Sequence, residues 1–244
     1  PVYTGTVTAA GLTPGSTARW QDVITRTDSI LNSGQFALAA DSAQWRALFA
    51  FNNQRTASPN LRESIFVVRN FAQDGLGLDF PHRVAFYNQF AGGGWNGFSI
   101  IADRLAQFDA ADIRRSIFLV GPQRTLDTGQ PLLVNGVQFS ITPTISDIRA
   151  AAVNEGARPY KFTLDPNRFS QNGGNDFTIF RLSGVILDRA EAFWRLGNNA
   201  AAVAEINKLR AVRYNPPTLL TGPVTADVIL KERLNELTFE GKRR

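Results

Sequence analysis

The sequence predicts a mainly α chain, with tetratricopeptide-like helical hairpins, long irregular loops and a small β element. Three observations predict it. Residues 181–240 repeat apolar side chains at helical spacing through consecutive segments, and an amphipathic segment stands near the start. Between them lie short apolar runs, an Asn-Gly turn and a glycine- and aromatic-rich stretch too long for an ordinary connection.

In chain order, residues 16–33 place Trp20, Val23, Ile24, Thr27, Ile30 and Leu31 on one helical face. Ser16 or Thr17 is the expected N-cap and Gly34 the expected stop. A shorter helix from Asp41 buries Trp45, Leu48 and Phe49, so residues 16–51 read as a helix pair. Ser64–Val68 is strand-like. Residues 71–98, FAQDGLGLDFPHRVAFYNQFAGGGWNGF, read as a functional loop. Ile100 to Phe108 returns to helical spacing, residues 116–120 (SIFLV) read as a strand, and Asn135-Gly136 marks a hairpin because both residues tolerate the positive φ of a type I′ turn. Residues 142–179 are mostly irregular, with the turn-rich SQNGGND near their end.

The C-terminal pattern is the strongest. Leu182, Ile186, Ala190 and Phe193 share one face of a helix that Gly197-Asn198 ends. Val203, Ile206 and Leu209 face back from the next segment, giving an antiparallel hairpin. After NPPTLLTGP, Thr225 can cap a third helix with Leu230, Leu234 and Leu237 inward. Helix pairs with small alanines at the contact pack into tetratricopeptide-type superhelices.

Composition narrows the chemistry. The 244 residues can build a core without staples, and with no cysteine the Zn–Cys sites, Fe–S clusters and cysteine nucleophiles are excluded. The chain has no methionine and opens on PVYTG, so it reads as a fragment or processed chain. The formal charge is +5, and all but four of the 26 basic residues are arginine. They are scattered singly apart from Arg114-Arg115 and Arg243-Arg244, with no basic face interleaved with aromatics, which argues against a nucleic-acid partner.

Several motifs could carry chemistry. His82 is the only histidine, so His-rich metal sites are impossible, and without a G-x-S-x-G elbow it reads as a surface or packing residue. Gly92 to Gly97 matches G-x-G-x-x-G, but FYNQFA before it is too polar for a buried parallel strand, and the acids that follow, Asp109 and Asp112, fall within or at the end of the next helix. No cofactor is expected. A different use of those glycines is to let the backbone turn and expose Trp95 and Phe98, with Arg83, Tyr87, Asn88, Gln89 and Asn96 nearby. An aromatic ring stacks on the C–H face of a pyranose while amides and arginine meet its hydroxyls. The competing reading packs the same aromatics into the core. Asp109 and Asp112 could ligate Ca²⁺, though ion pairing with Arg114 and Arg115 is simpler. Glu232, Glu236 and Glu240 lie along one helix stripe, not across a cleft as glycoside hydrolysis needs, and read as ion pairs with Arg189, Arg210 or Arg213.

RLSGVILDRAEAFWRLGN, then A-x-x-x-I-N-K-L-R-A-x-R, then ILKERLNELTFEGKR, resembles the C-terminal signature of the SusD/RagB family. ILNSGQFAL, WRALF, ESIF and LAQFDAADIRR follow the same order upstream. The resemblance implies a single SusD-like domain over residues 1–244, truncated at both ends, with residues 71–98 as ligand loop and 181–240 as helical repeat region. It implies a non-catalytic surface lipoprotein of Bacteroidota at the outward face of the outer membrane. Such a protein binds an oligosaccharide or peptide and caps a SusC-like TonB-dependent transporter, anchored by an N-terminal lipid that this chain lacks. Ligand contacts are expected from Arg83, Tyr87, Asn88, Trp95, Asn96 and Phe98. Two rivals are a helical-repeat protein–protein scaffold and a surface hydrolase.

Overall fold

The computed structural model describes residues 17–54 and 61–242. In chain order the elements are α1 (Thr17–Asn32), α2 (Ser42–Ala47), β1 (Ser64–Val68), α3 (Phe80–Val84), α4 (Ala102–Ala106), β2 (Phe118–Leu119), β3 (Gly121–Pro122), β4 (Leu133–Val134), β5 (Val137–Gln138), β6 (Ser140–Ile141), β7 (Arg158–Pro159), β8 (Phe177–Arg181), α5 (Leu182–Arg195), α6 (Asn199–Arg213) and α7 (Ala226–Glu236). The mainly α class with a small β element is as the sequence predicts. The described residues divide into two compact units, one helical (17–41, 61–66 and 178–242) and one loop-rich (42–54 and 67–177).

In the helical unit α5 packs on α1, α6 and α7. Its core joins Leu187, Ala190, Ala202, Ile206, Leu209, Val224, Ile229 and Leu237, with Phe193 and Val203 partly buried against it. Local capping fixes the boundaries. Gly197 adopts φ 76° where α5 ends, Asn198 Oδ1 accepts from the Ala201 N–H, and Thr225 Oγ1 accepts from the Val228 N–H. Ser16, one of the two expected caps of α1, lies outside the described residues.

The inward face of α7 differs from expectation. Ile229 is buried instead of Leu230, Leu234 is only half-buried, and the rest of the face is Glu232, Asn235 and Glu236. The cause is a buried charge network. Arg213 donates through Nη2 to Glu63 and through Nε to Glu236, and Arg181 donates to Glu63, Glu236 and Glu240. Glu63 also accepts from the Ala39 N–H at 2.8 Å. The predicted glutamate pairs form at Arg210–Glu232 and Arg213–Glu236. Arg189 instead pairs with Asp28 and Glu205.

In the loop-rich unit α2 buries Trp45, and Leu48 and Phe49 follow it into the core. The expected helix pair over residues 16–51 does not form as such, because α1 packs on α5 and α2 belongs to this second unit. The antiparallel pairs are β2–β7, β3–β6 and β4–β5. Asn135 (φ 51°) and Gly136 (φ 79°) make the predicted tight turn between β4 and β5. SIFLV is strand only at its end. A 3₁₀ turn over Ile113–Ile117 precedes β2, because Asp112 caps the Arg114 N–H and grips its guanidinium at 2.7 Å. The helical run expected from residue 100 to 108 shortens to α4.

Candidate functional site

Residues 71–98 hold one 3₁₀ turn, the five-residue helix α3 and otherwise irregular backbone. The glycine run folds back onto α3. The N–H groups of Trp95, Asn96 and Gly97 donate to the carbonyls of His82, Ala85 and Arg83 at 2.7, 2.8 and 2.7 Å, and that of Gly94 to Tyr87 at 3.1 Å. A Cβ on Gly94 would meet the Ala85 carbonyl oxygen at 2.3 Å, so only glycine permits this approach. These amides are spent on closing the loop and cannot cradle a phosphate, which removes the dinucleotide reading of G-x-G-x-x-G.

The closed loop holds three aromatic side chains outward. Tyr87 is 50% exposed, Trp95 44% and Phe98 46%. Each rests on a neighbour: Phe98 stacks on Phe80, Tyr87 tilts on Phe86, and Trp95 carries the Arg83 guanidinium 5.2 Å over its ring. Arg83 is in turn fixed by Asp79 through Nε at 2.8 Å and Nη2 at 2.5 Å, which raises its pKa above the ordinary value. Arg83 and Trp95 thus form one group.

Asn96 belongs to another group. It sits at φ 51°, its Oδ1 accepts from Arg158 Nε at 3.0 Å, and its Nδ2 donates to the Val153 carbonyl at 3.3 Å. Burial pushes Arg158 below its ordinary pKa, with Tyr87 opposing. Asn88 is exposed. Gln89, grouped with the ligand residues from the sequence, is fully buried and structural: its Oε1 accepts from the Phe86 N–H, and its Nε2 donates to Gln123 Oε1 at 3.1 Å.

Sequence reasoning missed the other wall of a cavity beside Trp95. This cavity of about 200 Å³ is lined by His82, Gly92, Trp95, Arg168, Ser170 and Gln171, among others. Phe169 and Asn172 exchange backbone hydrogen bonds at 3.1 and 3.0 Å, so Ser170 and Gln171 form the tip of a tight turn. Leu78 and Gly173 exchange another pair, docking that turn on the loop. His82 is 5% exposed, its Nδ1 has no hydrogen-bond partner, and burial with the nearby Arg168 lowers its pKa against the pull of Asp79. The turn-rich SQNGGND was the available signal, but nothing local in sequence tied it to Trp95. Elsewhere Asp112 pairs with Arg114, and no cluster of three or more His, Cys, Asp or Glu that could hold a metal occurs among the described residues.

Solved structures share this fold. Surface glycan-binding protein A from Bacteroides uniformis is similar with a TM-score of 0.65 at 20% identity over 93% of this chain and 44% of its own. Surface glycan-binding protein A from Bacteroides thetaiotaomicron in complex with laminarihexaose gives 0.64 at 22%, over 93% of this chain and 49% of that one. A SusD-like protein from Bacteroides fragilis gives 0.67 at 17%, over 91% and 49%. The chain therefore spans less than half the length of these proteins. No curated protein sequence matches it significantly. The sequence model of the SusD family matches residues 62–244, three quarters of the chain, and by that match the chain belongs to the SusD family.

Proposed function

We propose that this chain binds oligosaccharides without turning them over, as part of a nutrient-binding protein at the outward face of the outer membrane. Residues 71–98 are its ligand loop, and Trp95, Tyr87 and Phe98 are the stacking surfaces, with Arg83, Asn88 and Asn96 at their edges. Residues 181–240 supply a rigid helical repeat region within one SusD-like domain. The single observation that carries this reading is the exposure of three large aromatics on a loop whose backbone is locked by its own hydrogen bonds. Each ring packs on a neighbour through one side and leaves the rest of its apolar surface to water, where a sugar's apolar face is a natural partner for it. The laminarihexaose complex of a structural neighbour supports a saccharide as the ligand.

In this reading the saccharide passes to a TonB-dependent transporter, and a lipid anchor outside these residues holds the protein to the membrane. No helix among the described residues is long and apolar enough to cross a membrane. The test is a combined glycan and peptide array probed with the chain, followed by product analysis of any bound glycan. Glycan binding without cleavage, lost when Tyr87, Trp95 and Phe98 are replaced by alanine, is the expected result. Release of shortened products would favour a hydrolase, and binding only to protein partners with the aromatics dispensable would favour a scaffold.

A further inference from the structure

The cavity beside Trp95 contains an arginine held, among the described residues, without a carboxylate partner. Arg168 is fixed by backbone, through Nη1 to the Asp165 carbonyl at 3.2 Å and through Nη2 to the Ala91 carbonyl, with its guanidinium 4.9 Å over the Phe90 ring. It forms no ion pair among the described residues. Arg83, the other arginine at Trp95, is already matched by Asp79.

Asp127 and Asp165, the carboxylates of the neighbouring backbone, are engaged by amides. Asp127 accepts from the Ala91 N–H at 2.7 Å, and Asp165 accepts from the N–H groups of Asn167 and Gly174 at 2.8 and 2.7 Å. They offset part of the Arg168 field without pairing with it. Two of the five guanidinium N–H donors are used, which leaves three for a ligand. His82, kept neutral by burial, adds no second charge but offers a ring nitrogen to a hydroxyl. At about 200 Å³ the cavity is smaller than the ~300–1,000 Å³ of drug-sized sites and suits one sugar ring.

We propose that this cavity takes an acidic sugar: a uronate unit lies against Trp95 and its carboxylate pairs with the fork of Arg168, while Ser170 and Gln171 meet its hydroxyls. A planar guanidinium and a planar carboxylate match in geometry as well as charge. The inference rests on the reading of residues 71–98 as the ligand loop and deepens it by naming the substrate class.

The experiment is titration calorimetry of the chain with trisaccharides of galacturonate and of mannuronate, and with a glucuronate-substituted xylotriose, each beside its neutral methyl ester. We expect at least one acid to bind about tenfold tighter than its ester, a preference that shrinks at high salt. Arg168→Gln should bring the affinities for acid and ester together, and Arg168→Lys should keep part of the difference. Equal binding of every acid and its ester by the unaltered chain would overturn the inference, and that comparison needs no variant to fold. Saccharide binding that depends on Trp95 but shows no acid preference would sink the acidic class alone. If no saccharide responds to Trp95→Ala, the reading of the loop falls with it.

Discussion

In the helical unit, Arg181 and Arg213 are buried against carboxylates, whereas in the loop-rich unit a buried Arg158 and a half-buried Arg46 rest against backbone carbonyls. Arg158 donates to the carbonyls of Val153, Glu155 and Gly156, and Arg46 to those of Tyr160 and Lys161. The difference follows from what the backbone has left to offer. Inside a helix nearly every carbonyl already accepts from the residue four places on, so a buried guanidinium must find a side-chain acceptor. Irregular backbone leaves carbonyls unclaimed, and an arginine can gather several of them from one turn. The electrostatics differ in sign as a result. Burial pulls Arg46 and Arg158 below their ordinary pKa, whereas in Arg181 that pull is outweighed by Glu240, Glu236 and Glu63, which hold it well above. Arg114, gripped by Asp112, is the exception in the loop-rich unit.

The contrast can be broken at its two ends. Arg213→Ala leaves Glu63, Glu236 and Glu240 in a dry site facing the single guanidinium of Arg181 and should cost about 3–5 kcal/mol in denaturant unfolding. Arg158→Ala strands only carbonyls and Asn96, which water can reach more readily, and should cost about 2 kcal/mol. Equal losses would mean that the kind of acceptor does not matter. Within the helical core, Phe193 is half-buried under Arg189, whose guanidinium lies 4.8 Å over its ring. A fully buried Phe→Ala change costs about 3–5 kcal/mol; here we expect about 2 kcal/mol. A loss below about 1 kcal/mol would mean that this ring adds nothing to the α5–α6 packing.

A smaller effect probes the buried histidine. His82 has a folded-state pKa below its ordinary 6.5, so below that pH the unfolded chain binds the proton more readily. Its neutral form therefore favours the fold above about pH 6.5, and that advantage is lost as the pH falls. His82→Gln should flatten the decline in stability between neutral and mildly acidic pH, measured by denaturant midpoints. An unchanged decline would mean that His82 is protonated as easily in the fold as outside it.

The same contrast explains what was legible in the sequence. Helical packing advertises itself by period, so α1, α5 and α6, the Gly197 stop and the Thr225 cap could all be read directly. The ion pairs of Glu232 and Glu236 with Arg210 and Arg213 were readable too, but the burial of that face was not, because Glu63 and Arg181, far off in sequence, complete the network around Glu236. At the site, the exposed aromatics and their glycines were visible as local composition. The far wall was not: Arg168, Ser170 and Gln171 reach Trp95 through the Leu78–Gly173 backbone pairing, which has no side-chain signature. Gln89 was misplaced for a related reason, since its partners Gln123 and Arg124 lie more than thirty residues away.

The central claim is that Trp95 is held out for a ligand and not for the fold. One variant, Trp95→Ala, tests it when melting temperature and saccharide affinity are measured on the same preparation. An exposed ring contributes little to folding but much to binding, so stability should fall by under about 1 kcal/mol while affinity weakens by roughly 1–3 kcal/mol. A large loss of stability with affinity unchanged would show the ring to be a packing element and would contradict the account.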